Sequence, residues 1–249
     1  RRRHTRLLTV TGVQTCALPI CVINHNTQYA YDLGLRQFML SVYNNMTLAL
    51  AISGLVSLGI SMSPALMAGI WGTPLKWVVV FLPLVMSFGF AFLFEKMSAQ
   101  VAQIVLYIFA AAMGLSLSSI FAIYKLGSIG QVFFISAATF GAASLYGYTT
   151  KADLTKMGSF LMMGVIGLVI AGVVNLFLQS SAFAFAISCL AVLIFTGLTA
   201  YDTQEIKSHY DYTEGEEREK AGIFGALQLY MDFINIFVNL LQLIGEKKD

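Results

Sequence analysis

Six apolar runs, each near twenty residues long, dominate this chain: 38–60, 75–94, 102–123, 130–148, 157–178 and 182–204. A helix crossing the hydrocarbon of a bilayer needs about 20 apolar residues. A seventh run, 222–245, has the length but is the most polar. With 57% hydrophobic and only 11% charged residues, the chain cannot cover a water-facing surface, since soluble domains carry roughly 25% charge. Backbone polar groups find no partners in lipid, so the runs must be helices. The expectation is an all-α integral membrane protein, a seven-helix bundle forming one domain over 38–245, with a lead-in at 21–37 and a tail at 246–249.

Short polar segments separate the runs: "SMSPALMAGIWGTP" (61–74), "KLGSIG" (125–130), "TTKADLTK" (149–156) and "LQSS" (178–181). Only "EIKSHYDYTEGEEREK" (205–220) is strongly charged. Small residues should mark helix contacts in lipid. Ala110, Gly114 and Ser118 recur every fourth position, and Gly141, Gly147, Gly164, Gly167 and Gly172 thin two other helices. Pro83 removes one backbone donor and should kink the second run.

The first twenty residues read differently. "VTGVQTCALPI" (10–20) resembles the translation of a short-read sequencing adapter, so 1–20 is expected to be non-biological. Removing Arg1, Arg2, Arg3 and Arg6 leaves 11 basic against 13 acidic residues, a net of −2 instead of +2. No basic patch suggests nucleic acid.

Basic residues in short loops set orientation. With the N-terminus cytoplasmic, Arg36, Lys96, Lys151, Lys156, Lys207, Arg218 and Lys220 lie inside, and only Lys76 and Lys125 lie in outside loops. Seven full crossings would then place Lys247 and Lys248 outside. That small conflict leaves open a last segment that enters the membrane and returns.

The last run carries the sharpest signal. Gln228, Asp232, Asn235, Asn239 and Gln242 are spaced 4, 3, 4 and 3, which puts them on one helical face. A charged side chain at membrane depth costs about 2.5–3.5 kcal/mol by insertion scales. The stripe must therefore face a bundle interior or water. A helix lying flat on the membrane is the alternative, but such helices carry Lys and Arg on their polar face. A second carboxylate, Asp202, ends the sixth run, with Thr199 and Thr196 near its face and Glu205 one turn beyond. Lys96, beside Glu95, could supply a cation between the two acids, or simply snorkel to the membrane edge. Two carboxylates brought together hold a proton or a cation between them. All nearby donors are oxygen atoms, which suit calcium, so Asp202 and Asp232 are also the candidate metal ligands. Changing the charge of such a pair changes helix packing.

Enzyme chemistry finds no support in the motifs. There is no GxSxG-like serine with a membrane histidine, and no HExxH; His4, His25 and His209 lie outside the spans. Cys16, Cys21 and Cys189 form neither a disulfide framework nor a zinc knuckle. No lysine in 222–245 could hold retinal. No cofactor is expected beyond calcium as a transported or bound ion.

"GLTAYDTQEIK" (197–207) and "LYMDFINIFVNLLQLIG" (229–245) resemble the two signature segments of the transmembrane Bax inhibitor motif family. "LRQFMLSVYNNMTLALAISGLVS" (35–57) and "FEKMSAQVAQIVLYIFAAAMGLSLS" (94–118) are similar to its bacterial members. The resemblance implies seven helices with the last, short or semi-membrane, enclosed by the others. It implies a pH-sensitive calcium leak channel of a bacterial inner membrane, in which Asp202 and Asp232 form the proton-sensitive pair. Some members place an arginine beside that pair, where this chain has Lys96, a point charge without the planar fork. On this reading Asp202 and Asp232 are the pH sensor and cation site, with Lys96, Thr199, Gln228, Asn235 and Asn239 in support. The neutral pair releases helix contacts at one pH, and the ionised pair holds the closed state or binds calcium at another. The partners are the lipid bilayer, calcium and protons. The alternative is a non-conducting regulator of a membrane protease or other complex, docking through 205–220.

Overall fold

The computed structural model describes residues 17–248, and side chains from Tyr29 onward except Ala91 and Glu95. The expectation for residues 1–16 lies outside the described residues. Eight helices follow in order: α1 (Ala17–Ser61), α2 (Pro64–Trp71), α3 (Leu75–Leu93), α4 (Ala99–Ile123), α5 (Leu126–Thr149), α6 (Thr155–Leu178), α7 (Ser181–Tyr212) and α8 (Gly215–Ile244). A single 3-10 turn, Phe94–Lys96, links α3 to α4. Six helices are long and apolar enough to span a membrane, and α2 with α3 makes a seventh span if the bent pair is counted as one.

Three expectations about boundaries change. The lead-in at 21–37 is the first part of α1, continuous with the first span. The connector 61–74 contains α2, because Ser63 caps Leu66 N and Pro64 occupies the first turn, where its missing N–H costs nothing. A bend of 81° separates α2 from α3, and α3 continues through Pro83 as a single helix. The charged connector 205–220 is almost wholly helical. α7 runs to Tyr212 and α8 starts at Gly215, whose φ of +55° lets the chain reverse there.

Two groups of three helices enclose α8. α4 packs along α1 and α3, and α7 packs along α5 and α6. α8 touches α1, α4, α5 and α7, and 67% of its apolar window is buried, against 6–33% in the other spans. Leu229, Tyr230 and Ile236 are fully enclosed. The Tyr230 hydroxyl bonds Ser53 Oγ at 2.6 Å, which itself reaches the Ala110 carbonyl at 2.8 Å, so α8, α1 and α4 share one buried polar knot.

α8 is one continuous helix with no break or reversal along its thirty residues. At its start Glu216 Oε1 accepts from Ala99 N, the first residue of α4 (3.1 Å). Beyond its end, residues 246–248 pair with the α4–α5 junction. Lys125 N donates to Glu246 O (2.9 Å) and Lys248 N to Ile123 O (2.8 Å). An exposed Lys125–Glu246 ion pair at 3.3 Å lies over this strap. Thirty residues at 1.5 Å each give about 45 Å, longer than the hydrocarbon. At the other end Arg218 Nε donates to Thr213 O (2.8 Å) and its guanidinium covers the Tyr210 ring at 4.1 Å, fastening α8 to α7.

Small residues carry only part of the packing expected of them. Ala110, Gly114 and Ser118 are buried, and a Cβ on Gly114 would sit 2.6 Å from Ser53 O. Gly147 meets Ala200 in the same way, and Gly164 meets the flexible Ile194 side chain. Gly141, Gly167 and Gly172 meet nothing within 4 Å. We therefore expect Gly167→Ala and Gly172→Ala to shift unfolding in detergent by less than about 0.5 kcal/mol, as at other unpacked positions. A larger loss would mean a contact that the bundle does not show.

Candidate functional site

Asp202 sits on the α7 turn formed by Leu198, Thr199, Thr203 and Ile206, all buried. Asp232 lies halfway along α8. Close approach of these helices depends on Gly225, where an added Cβ would lie 2.7 Å from Ile206 Cγ1. The approach sets the two carboxyl groups side by side, close enough for a hydrogen bond when either carries a proton. Asp202 is 8% and Asp232 4% exposed. Carboxylate oxygens only accept, so a hydrogen bond between two such groups needs a proton on at least one of them.

The Thr199 hydroxyl donates to Phe195 O at 2.8 Å and lies beside Asp232. A single hydroxyl proton serves one acceptor at a time, and a Thr199 proton given to Phe195 leaves the oxygen to accept from a protonated Asp232. Thr196 turns to Val192 O at 2.6 Å and plays no part in the pair. Asp232 Oδ2 is buried without a hydrogen-bond partner among the described residues. A buried polar oxygen left alone is costly and calls for a physical reason.

Both acids line a cavity of about 490 Å³ bounded by α3, α6, α7 and α8. Glu205, Gln228, Tyr201 and Ser87 supply its remaining polar lining, and among the described residues no Lys or Arg lines it. Lys96 is exposed and outside this cavity, so the structure does not bring it to the pair. Asn235 and Asn239 are half-buried, and their amides donate to Met231 O and Asn235 O of their own helix, at 2.8 and 2.9 Å. They satisfy themselves locally. Gln242, at the end of the stripe, accepts from Ser188 of α7 at 2.7 Å.

The fit to a resident calcium ion is poor. Calcium takes six to eight oxygen ligands. Among the described residues no three His, Cys, Asp or Glu side chains are grouped to hold a metal. Two carboxyl groups that already share a proton fall well short of that ligand number.

Sequence reasoning missed three contributors. Ser87 and Tyr201 line the cavity without any charge to mark them. Thr203 lies beside Asp202 in the chain but points elsewhere: it bonds Ser144 of α5 at 3.0 Å, and Ser144 bonds Tyr43 of α1 at 2.6 Å. That chain ties α1, α5 and α7 behind the acids. A buried Thr one residue from a buried Asp was the available signal.

A central, polar helix clamped between two helix triplets, with two buried carboxyl groups side by side at a cavity wall, defines a multi-pass membrane protein with an ionisable interior. The chain belongs to the family described as inhibitor of apoptosis-promoting Bax1, whose model matches residues 35–249. It is 45% identical over 222 residues to the uncharacterized protein RP147 of Rickettsia prowazekii, covering 88% of this chain and 93% of that one. An uncharacterized protein of Caulobacter vibrioides is 44% identical over 232 residues, covering 88% and 92% of the two chains. The inner membrane protein YbhL of Escherichia coli is 38% identical over 219 residues, covering 86% and 94%.

Proposed function

We propose that the protein is a pH-sensitive calcium leak pathway of a bacterial inner membrane, with its N-terminus cytoplasmic and no enzymatic activity. Calcium is its cargo and not a resident ion. The single observation that carries the proposal is the buried Asp202/Asp232 pair, side by side at the wall of a cavity among the membrane helices. The relative named as an inner membrane protein supports the location. The basic residues Arg36, Lys96, Lys151, Lys156, Lys207, Arg218 and Lys220 gather at one end of the bundle, which supports the orientation.

The hydrogen bond gives the switch a sign. A proton between the acids ties α7 to α8. Its loss leaves two like charges at contact distance, with no Lys or Arg among the described cavity residues to compensate them. Like charges at about 4 Å repel by roughly 4 kcal/mol at an effective dielectric of 20. The ionised pair therefore loosens the α7–α8 contact and attracts a cation, and the proton-bridged pair is the closed state. This order reverses the one in which the ionised pair holds the channel closed.

Purified protein in liposomes loaded with a calcium indicator tests the reading. Calcium entry should rise with pH and be blocked by acidification. A purified protein that passes no calcium at any pH would leave the regulator as the reading to pursue, with the exposed acids Glu214, Glu217 and Glu219 at the α7–α8 turn as its docking surface.

A further inference from the structure

The cavity beside the acids is shaped for more than an inorganic ion. At about 490 Å³ it falls within the range of small-molecule sites, about 300–1,000 Å³. Phe90, Phe195, Leu198, Phe224 and Met231 make its walls apolar, and the acids form one side. α3 packs along α4, and α6 along α7, so the cavity lies between two flanks facing away from the bundle. Met162 of α6 lines it and is 53% exposed, on a span with only 6% of its apolar window buried. Its mouth therefore opens toward lipid. A hydrated metal ion does not arrive through hydrocarbon. An amine with an apolar body does.

We infer that this cavity binds amphiphilic monovalent ammonium ions, entering laterally from the bilayer and resting on the Asp202/Asp232 pair. The inference rests on the proposed reading of the pair as a proton-sharing cation site and adds a ligand class to it. Charge balance favours a monocation, because a pair that shares one proton has one negative charge for one ammonium to neutralise. A divalent ion needs both carboxylates bare. The unpartnered Asp232 Oδ2, on a side chain 4% exposed at the cavity wall, is the acceptor still lacking a donor.

Binding of 4-phenylbutylamine to the protein in lipid nanodiscs, measured by equilibrium dialysis against empty nanodiscs, tests this directly. The matched alcohol 4-phenylbutanol has the same apolar body without the charge. The amine should bind at least about tenfold more tightly than the alcohol, and the double variant Asp202→Asn/Asp232→Asn, which leaves the pair no charge, should remove most of that difference. Met162→Trp, which narrows the mouth and leaves both acids in place, should weaken amine binding by a similar factor. Equal binding of amine and alcohol overturns the inference. So does amine binding unchanged in Asp202→Asn/Asp232→Asn, or, should that variant not fold, unchanged in Met162→Trp. Selective amine binding without calcium flux would retain the site and remove the channel reading. pH-dependent flux without amine selectivity would remove only the site.

Discussion

Asp232→Asn is expected to give a protein whose calcium flux is low and flat with pH. An asparagine at 232 keeps the shape of the aspartate but donates an amide N–H to Asp202 at every pH. It mimics the proton-bridged state and cannot lose its proton. Acidification that lowers the wild-type flux several-fold should leave the variant nearly unchanged. Its stability should alter little, because one hydrogen bond of about 1 kcal/mol replaces another. Asp202→Asn should behave alike, since the bond is mutual. A wild-type pH profile in either variant would remove the shared proton as the switch.

Gly147→Val should have the largest effect on stability. A Cβ at Gly147 would lie 2.1 Å from Ala200 O and 2.8 Å from Ala200 C, so the clash is with backbone and cannot be relieved by a rotamer. α5 must move off α7. Overpacking alone costs about 1–3 kcal/mol, and here the Ser144–Thr203 bond is lost as well. The expected loss is about 3 kcal/mol or more, read from denaturant unfolding in detergent. The displaced turn also carries Asp202, two residues beyond Ala200, so residual folded protein should show altered flux. A loss below about 1 kcal/mol would show that the α5–α7 contact yields more easily than its spacing implies.

The spans were legible because hydropathy and length leave a membrane helix few alternatives. Boundaries were less legible where two signals competed. Residues 205–212 are polar and charged, which reads as a loop, yet they extend α7 beyond its apolar part, where helix is as good in water as in lipid. Residues 64–71 are apolar but too few to cross, and only the Ser63–Pro64 start signal marked them as helix. The polar stripe of α8 was periodic and visible. Which of its members act was not. Gln228 and Asp232 face the cavity, whereas Asn235 and Asn239 spend their amides on their own backbone, a choice that periodicity does not encode. Lys96 was proposed from its position at a helix end, and helix ends say nothing about which neighbour a long side chain reaches.

The two fastenings of α8 restrict how this molecule can open. At one terminus Arg218 and Glu216 hold it to α7 and α4, and at the other the strap of residues 246–248 is laced to residues 123–125. A rod pinned at both tips cannot slide like a piston. It can only bow or roll about its long axis, and the greatest excursion falls at its midpoint, where Asp232 sits. A small electrostatic push applied there acts where the helix is most compliant.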